Sequence, residues 1–365
     1  MRRTLGRRAG LAVAAVLLLV LAGCGGDEPA DDGAAADAPA ATDAAATDDM
    51  AQTEAAATDP TATDDGATGA AGGDYDIVLI PGVIGDEFYV SMECGAREAA
   101  EAAGATLDVQ GPDAFDPTQQ TPVLEAVIAS QPDAILIAPT DTTAMQAPIQ
   151  QAVDAGITVV LVDTTLDDPS VAVSAIASDN VEGGRMAADA LGELIEGEGS
   201  VMVINVNPGI STTDQRQQGF EEGIAAYDNL NYIGTEFSNN EPTRAAEIVG
   251  ATLAAEPDLI GIFGTNLFSA EGAATGVRNA GPEGEDIRIV GFDAGPAQVD
   301  QLQQGQVQAL IVQKPLDIGR QGVEQAILAL NGEETEAEIT TDFVTATQDN
   351  LEDPDIAEFL YRSSC

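Results

Sequence analysis

The chain has 365 residues, with 62 acidic against 13 basic side chains, a net charge of −49, and neither histidine nor tryptophan. So acidic a surface repels phosphate backbones, which excludes nucleic acid as a partner, and without histidine no Ser–His, Cys–His or histidine-ligated metal chemistry can be built. A hydrophobic content of 44% supplies a real core, while the single lysine, Lys314, points to a high-salt milieu that screens self-repulsion, or to compositional drift in an Ala/Asp/Gly-rich genome.

The chain opens with Arg2, Arg3, Arg7 and Arg8, then an apolar run Leu11–Leu21, then Ala22-Gly23-Cys24. A basic start, a short apolar run and small residues before the break predict a secretory signal over residues 1–23. The run is too short to span a bilayer, which takes about 20 residues. Leu21-Ala22-Gly23-Cys24 resembles the lipobox of bacterial lipoproteins, which implies that Cys24 becomes a diacylated N-terminus holding the protein on the outer face of the cell membrane. An ordinary cleaved signal with a chance cysteine is the other reading. Residues 24–74, rich in Ala, Asp, Thr and Gly, bury too little apolar surface to offset ordering entropy and are expected to form a disordered acidic tether.

From Asp76 onward, short apolar runs alternate with longer amphipathic stretches. Predicted strands are Ile77–Ile80, Thr106–Gln110, Ala134–Ala138, Thr158–Asp163, Val201–Val206, Tyr232–Phe237, Leu259–Gly264, Ile287–Phe292 and Val307–Val312. Each is β-branched and mostly apolar, as parallel strands covered on both faces are. Predicted helices between them include Phe88–Ala103, Thr121–Ser130, Val181–Ile195, Ser211–Ala226 and Arg244–Ala255. This alternation predicts an α/β fold of βαβ units with enough strands for two parallel sheets. The break between them is expected near Ser174–Asn180, with Asp179-Asn180 capping the next helix. Pro81, Pro139, Asp163, Asn266 and Asp293 stand just past strand ends, where open α/β sheets bind their ligands.

Taken in order, Phe88-Tyr89-Val90-Ser91-Met92, Ile176-Ala177-Ser178-Asp179-Asn180, Gly291-Phe292-Asp293 and Gln308–Gln313 resemble the type I periplasmic sugar-binding proteins of ABC transporters, of the ribose-binding kind. The resemblance runs from about Asp76 to Phe343. It implies two Rossmann-like lobes joined by three crossovers, with a small sugar or polyol clamped in the cleft and handed to permease subunits. The lobes would comprise residues 75–177 with 314–340 and 178–313 with 341–349, and 350–365 would form a C-terminal tail. Crossovers are expected near Ile176–Ser178, Gln313–Lys314 and Thr340–Asp342.

Carried over residue by residue, the resemblance implies that Phe88 and Tyr89 stack on one face of a sugar ring and Phe292 on the other. Asp86, Asp163, Arg216, Asn240, Asn266, Asp293 and Gln313 would take its hydroxyls. Flat aromatics with planar carboxylate, amide and guanidinium groups suit a molecule with apolar C–H faces and a hydroxyl rim. The pattern departs from the ribose-binding kind where Thr164 follows Asp163 in place of an arginine, where Tyr89 is the second aromatic, and where Asp86 replaces an asparagine. Ribose itself is therefore not assumed.

Cys94 and Cys365 form an even pair in an oxidising compartment, which favours a disulfide pinning the tail to the first helix; two buried free thiols are the alternative. No metal or cofactor is implied, and the protein is expected to be a monomer and not an enzyme. Gly82-Val83-Ile84-Gly85 lacks the full dinucleotide fingerprint. The same scaffold also serves other functions: an enzyme would lack a histidine base and a Gly-x-Ser-x-Gly elbow here, the export signal and acidic tether rule out a transcription regulator, and a sensor that docks on a membrane receptor is the remaining alternative.

Overall fold

The structure is a computed structural model and describes residues 74–365. The expected signal peptide, Cys24 and the tether through Gly73 lie outside the described residues. The first stretch of the chain runs β1 (Asp76–Ile80), α1 (Glu87–Ala103), β2 (Thr106–Val109), α2 (Pro117–Ser130), β3 (Ala134–Ile137), α3 (Gln146–Asp154), β4 (Thr158–Val162) and β5 (Ser174–Ser178). It continues as α4 (Asn180–Leu194), β6 (Glu198–Asn205), α5 (Ser211–Ile224), β7 (Asn229–Phe237), α6 (Pro242–Ala255), β8 (Leu259–Gly264), α7 (Leu267–Ala280), β9 (Arg288–Phe292), α8 (Pro296–Gln303) and β10 (Ala309–Val312). The chain then returns through α9 (Pro315–Leu330) and β11 (Glu338–Thr341) and ends with β12 (Val344–Thr347) and α10 (Pro354–Ala357).

These strands form two six-stranded sheets of matching order, β11-β5-β4-β3-β1-β2 and β12-β10-β9-β8-β6-β7. Position for position, β4 answers to β9 and β5 to β10. Central strands such as β3 (Ala-Ile-Leu-Ile) are buried at every residue, which explains why they read as continuous apolar runs, since helices cover both faces. Burying one such Ile or Leu contributes about 1.5–3 kcal/mol. The pairing is parallel except at β12, which runs antiparallel to β10.

Two expectations shift. The break expected near Ser174–Asn180 narrows to Asp179, because Ser174–Ser178 is itself a strand, pairing with β4 and β11. Its alternating burial and small residues hid it among the longer apolar runs. Ser178 and Thr341, expected at the start of the second lobe, pair with each other on the first sheet. The chain therefore passes between sheets at Asp179, at Gln313–Lys314 and at Asp342–Phe343. Asp179 does cap α4, accepting from Glu182 N at 3.1 Å, while Asn180 is turned to another task described below.

Helix packing bears on the cleft at one glycine. A Cβ at Gly184 of α4 would lie 2.1 Å from the carbonyl oxygen of Arg216 in α5. Gly184→Ala is expected to force these helices apart, costing about 1–3 kcal/mol and several degrees of thermal midpoint. Because Arg216 rides on the displaced turn, a thermal melt and a ligand titration should both show the loss. An unchanged melt would mean that the contact relaxes freely.

Candidate functional site

The two sheets present their carboxyl ends to each other, and the loops there line one tight cavity of about 40 Å³. Its wall includes Asp86, Phe88, Tyr89, Phe115 and Asp163 from the first lobe, Thr213, Arg216, Asn240, Asn266 and Asp293 from the second, and Gln313 from a crossover. The lobes touch outside the cavity, where Thr142 N donates to Gly209 O at 3.0 Å and Thr165 N to Ser211 Oγ at 2.9 Å.

Asp163 and Asp293 are counterparts in the two lobes. Each follows an equivalent strand, β4 or β9, and each has a left-handed backbone, with φ of 64° and 78°. Each N–H donates to the neighbouring strand at 2.8 Å, to Ile176 O and Ile311 O respectively. Aspartate tolerates this region better than most residues, and such backbone strain gathers at functional sites. The Tyr89 hydroxyl donates to Asp163 Oδ2 at 2.8 Å. Burial raises the Asp163 carboxyl to about 6, against the lowering pull of Arg216 and of the Tyr89 hydrogen bond. Asp293 is held by Leu267 N on Oδ2 at 2.9 Å and by Gln313 Nε2 on Oδ1 at 2.7 Å.

Arg216, on the first turns of α5, is 2% exposed. Its Nε donates to Asn180 Oδ1 at 2.8 Å and its Nη1 to Thr265 O at 2.9 Å, which leaves Nη2 with no protein partner. Thr213 Oγ1, also buried, is likewise unpaired. Buried polar groups are rarely left so, and both belong to the cavity wall.

Asp86 is the N-cap of α1, accepting from Phe88 N at 2.9 Å. Burial, then the charges of Asp293, Glu87 and Asp163, push its carboxyl well above the usual range, against the lowering hydrogen bond from Phe88 N. No basic side chain bonds it.

Nine of the ten residues expected at the ligand line this cavity. The exception is Phe292, which corrects the expectation of an opposing aromatic face. It is fully buried against Phe263 and Phe343, and the Arg216 guanidinium lies 3.8 Å over its ring. Phe292 is thus the floor beneath the arginine. Two others do double duty. Asn266 caps α7 through Ser269 N at 3.1 Å while its Nδ2 donates to Asn240 Oδ1 at 2.7 Å. Gln313 bridges Asp293 and Ser178, accepting from the Ser178 hydroxyl at 2.8 Å.

Sequence reasoning missed Phe115, in the loop between β2 and α2, whose ring crowds Gly82. A lone aromatic in the polar run Asp113-Ala114-Phe115-Asp116 was the available signal. It also missed Asn180 and Thr265, which aim the arginine. Among the described residues, no group of three or more His, Cys, Asp or Glu is placed to hold a metal ion. Cys94 and Cys365 are joined by a disulfide.

A family model described as "Periplasmic binding protein domain" matches residues 77–334. The ribose import binding protein RbsB of Salmonella typhimurium is 31% identical over 270 residues, covering 73% of this chain and 88% of its own. The D-ribose/D-allose-binding protein of Pseudomonas aeruginosa is 29% identical over 273 residues, 72% of this chain and 84% of its own. Among solved structures, an ABC transporter solute-binding protein of Agrobacterium vitis bound to α-D-tagatopyranose superposes with a TM-score of 0.77 at 44% identity, covering 79% of this chain and 99% of that one. A second from the same organism, bound to D-fucose, has a TM-score of 0.75 at 29% identity, covering 78% and all of that chain. The chain therefore belongs to the periplasmic binding protein domain family, among the type I, ribose-binding-like sugar receptors.

Proposed function

We propose that this protein is the solute-binding component of an ABC importer. It takes a single sugar or polyol in the cleft between its lobes and delivers it, unchanged, to permease subunits. The observation that carries this reading is the pair of left-handed aspartates, Asp163 and Asp293, one from each lobe, beside a buried arginine with a free Nη2. That set can accept from neighbouring hydroxyls on two edges of a ring and donate to its oxygens. Phe88, Tyr89 and Phe115 supply the apolar contact for ring faces. A ligand that touches both lobes binds the closed form better and shifts the population toward it. Thr164 stands where the ribose-binding kind has an arginine, so ribose itself is not assumed, and a different pentose, a hexose or a polyol fits the reading. The same reading places the protein outside the cytoplasm, held to the membrane by lipid on Cys24.

The test is a thermal-shift screen of the purified protein in high salt against pentoses, hexoses, polyols, amino acids and nucleosides. A ligand at about a hundred times its dissociation constant adds about 2.7 kcal/mol, which raises the midpoint by several degrees. A hit among sugars or polyols is the expected result. Hits confined to amino acids or nucleosides would overturn the ligand class while keeping a binding protein.

A further inference from the structure

The tail leaves the second sheet at β12 and ends on the first lobe, where Cys365 is bonded to Cys94 of α1. Between these points two consecutive residues bond to opposite lobes. Tyr361 N donates to Ala294 O at 3.1 Å in the second lobe. Arg362 N donates to the buried Ser91 Oγ of α1 at 2.7 Å in the first. The Tyr361 ring is 6% exposed. It meets Phe88 edge to face, with centroids 5.8 Å apart, and its hydroxyl donates to Asp293 Oδ1 at 2.9 Å.

We propose that Tyr361 is a positioning residue for the ligand site, holding the Asp293 carboxylate and the Phe88 ring in place from behind, and that the Cys94–Cys365 bond keeps it seated. The proposal rests on the cleft being the sugar site. Asp293 stands in a left-handed conformation with its carboxylate buried, and the Tyr361 hydroxyl is the third donor on it after Leu267 N and Gln313 Nε2. Burial, with the Asp293 charge, pushes the phenol well above its usual range, so it remains a donor at any working pH.

The disulfide does not act as a short leash. From Thr347 to Cys365 the extended chain could reach about 60 Å, far more than a hinge motion needs. Its effect is local. Only three residues lie between Tyr361 and Cys365, so the bond keeps the ring at high effective concentration beside its seat.

The experiment is calorimetric titration of the purified protein with D-tagatose, D-fucose, D-allose and D-ribose, with hydrogen exchange of the ligand-free protein alongside. Tyr361→Phe keeps the ring against Phe88 and removes only the hydroxyl. It is expected to weaken sugar binding about tenfold, the worth of a hydrogen bond to a charged group. In an Asp293→Asn background the same change is expected to alter affinity less than about twofold, because its effect passes through the carboxylate. Cys365→Ser should weaken binding in the same direction, and adding Tyr361→Phe to it should then cost little more. Without ligand, Tyr361→Phe should speed exchange at the buried Leu267 amide, which bonds the same carboxylate. A loss of melting temperature alone is what a merely structural role predicts, and it would overturn the proposal, as would an effect of equal size in the Asp293→Asn background. If none of the sugars bind, the cleft reading fails, and the Leu267 exchange rate decides on Tyr361 by itself, an unchanged rate overturning it.

Discussion

Arg216→Ala is expected to weaken sugar binding about a thousandfold and to lower the thermal midpoint of the ligand-free protein as well. The guanidinium is fixed on three sides, by Asn180, by the Thr265 carbonyl and by the Phe292 ring beneath it. Its Nη2 is left free on the cavity side. Removing it takes away the donor for the ligand and leaves the raised, buried carboxyl of Asp163 without the charge that lowers it. Breaking a buried ionic arrangement by deleting one member costs about 3–5 kcal/mol, which is the size of the expected loss. Arg216→Lys should rescue little. An ammonium cannot donate along three fixed directions in one plane or stack on the phenyl ring as the guanidinium does. Calorimetric titration of both variants checks this, and a lysine variant that binds within about tenfold of the parent would show that charge alone suffices.

Asp163→Asn is the second large effect, and it comes with a pH dependence. The carboxylate is the first lobe's buried acceptor for ligand hydroxyls. Its amide counterpart presents one acceptor atom and would leave a misplaced donor in a buried site. A hydrogen bond to a charged group is worth about 1.5–3 kcal/mol, and two neighbouring hydroxyls share this one, so a loss of roughly a hundredfold to a thousandfold in affinity is expected. The sign of the pH effect follows from Asp163 being raised from 3.8 to about 6. A folded-state value above the unfolded one means that the folded protein holds this proton more tightly. This group therefore favours folding at low pH, and its contribution is lost as pH climbs through about 6. Ligand binding runs the other way, because it uses the carboxylate. Affinity should be flat above about pH 7 and fall as pH drops below 6, by up to tenfold per unit from this group. In Asp163→Asn that slope should vanish. A parent affinity flat from pH 8 to 5 would show that the ligand does not need the charged form.

The buried strands were legible because a strand covered on both faces must be apolar where it is buried, as β3 and β10 are throughout and β1 and β4 are after their first residue. The polar edge strands β11 and β12 carry no such signal, and β5 alternates small residues that resemble a linker. The cleft was legible for a related reason. Asp163 and Asp293 end apolar runs, so a charged residue there has to be explained. Phe292 shows the limit of that reasoning. An aromatic next to a site aspartate reads the same whether it faces the ligand or the core, since along a strand neighbouring side chains point to opposite faces. Asp293, the next residue, took the cavity side. Asn180 and Thr265 could not be found at all, because what they do is set by the position of an arginine far away in the chain.

Lys314, the only lysine, sits where the chain crosses back from the second sheet to the first, its ammonium 3.6 Å from Asp342 on a neighbouring crossover and 4.8 Å from the centre of the Phe359 ring on the tail. The protein therefore has one side-chain address for amine-reactive chemistry, and that address is on a crossover between the two sheets. A fluorophore coupled there would sit among two crossovers and the tail, so a ligand that closes the lobes as proposed would change its surroundings without an engineered cysteine. The same fact warns against immobilising the protein through amines, which would tether it at a crossover between its two sheets.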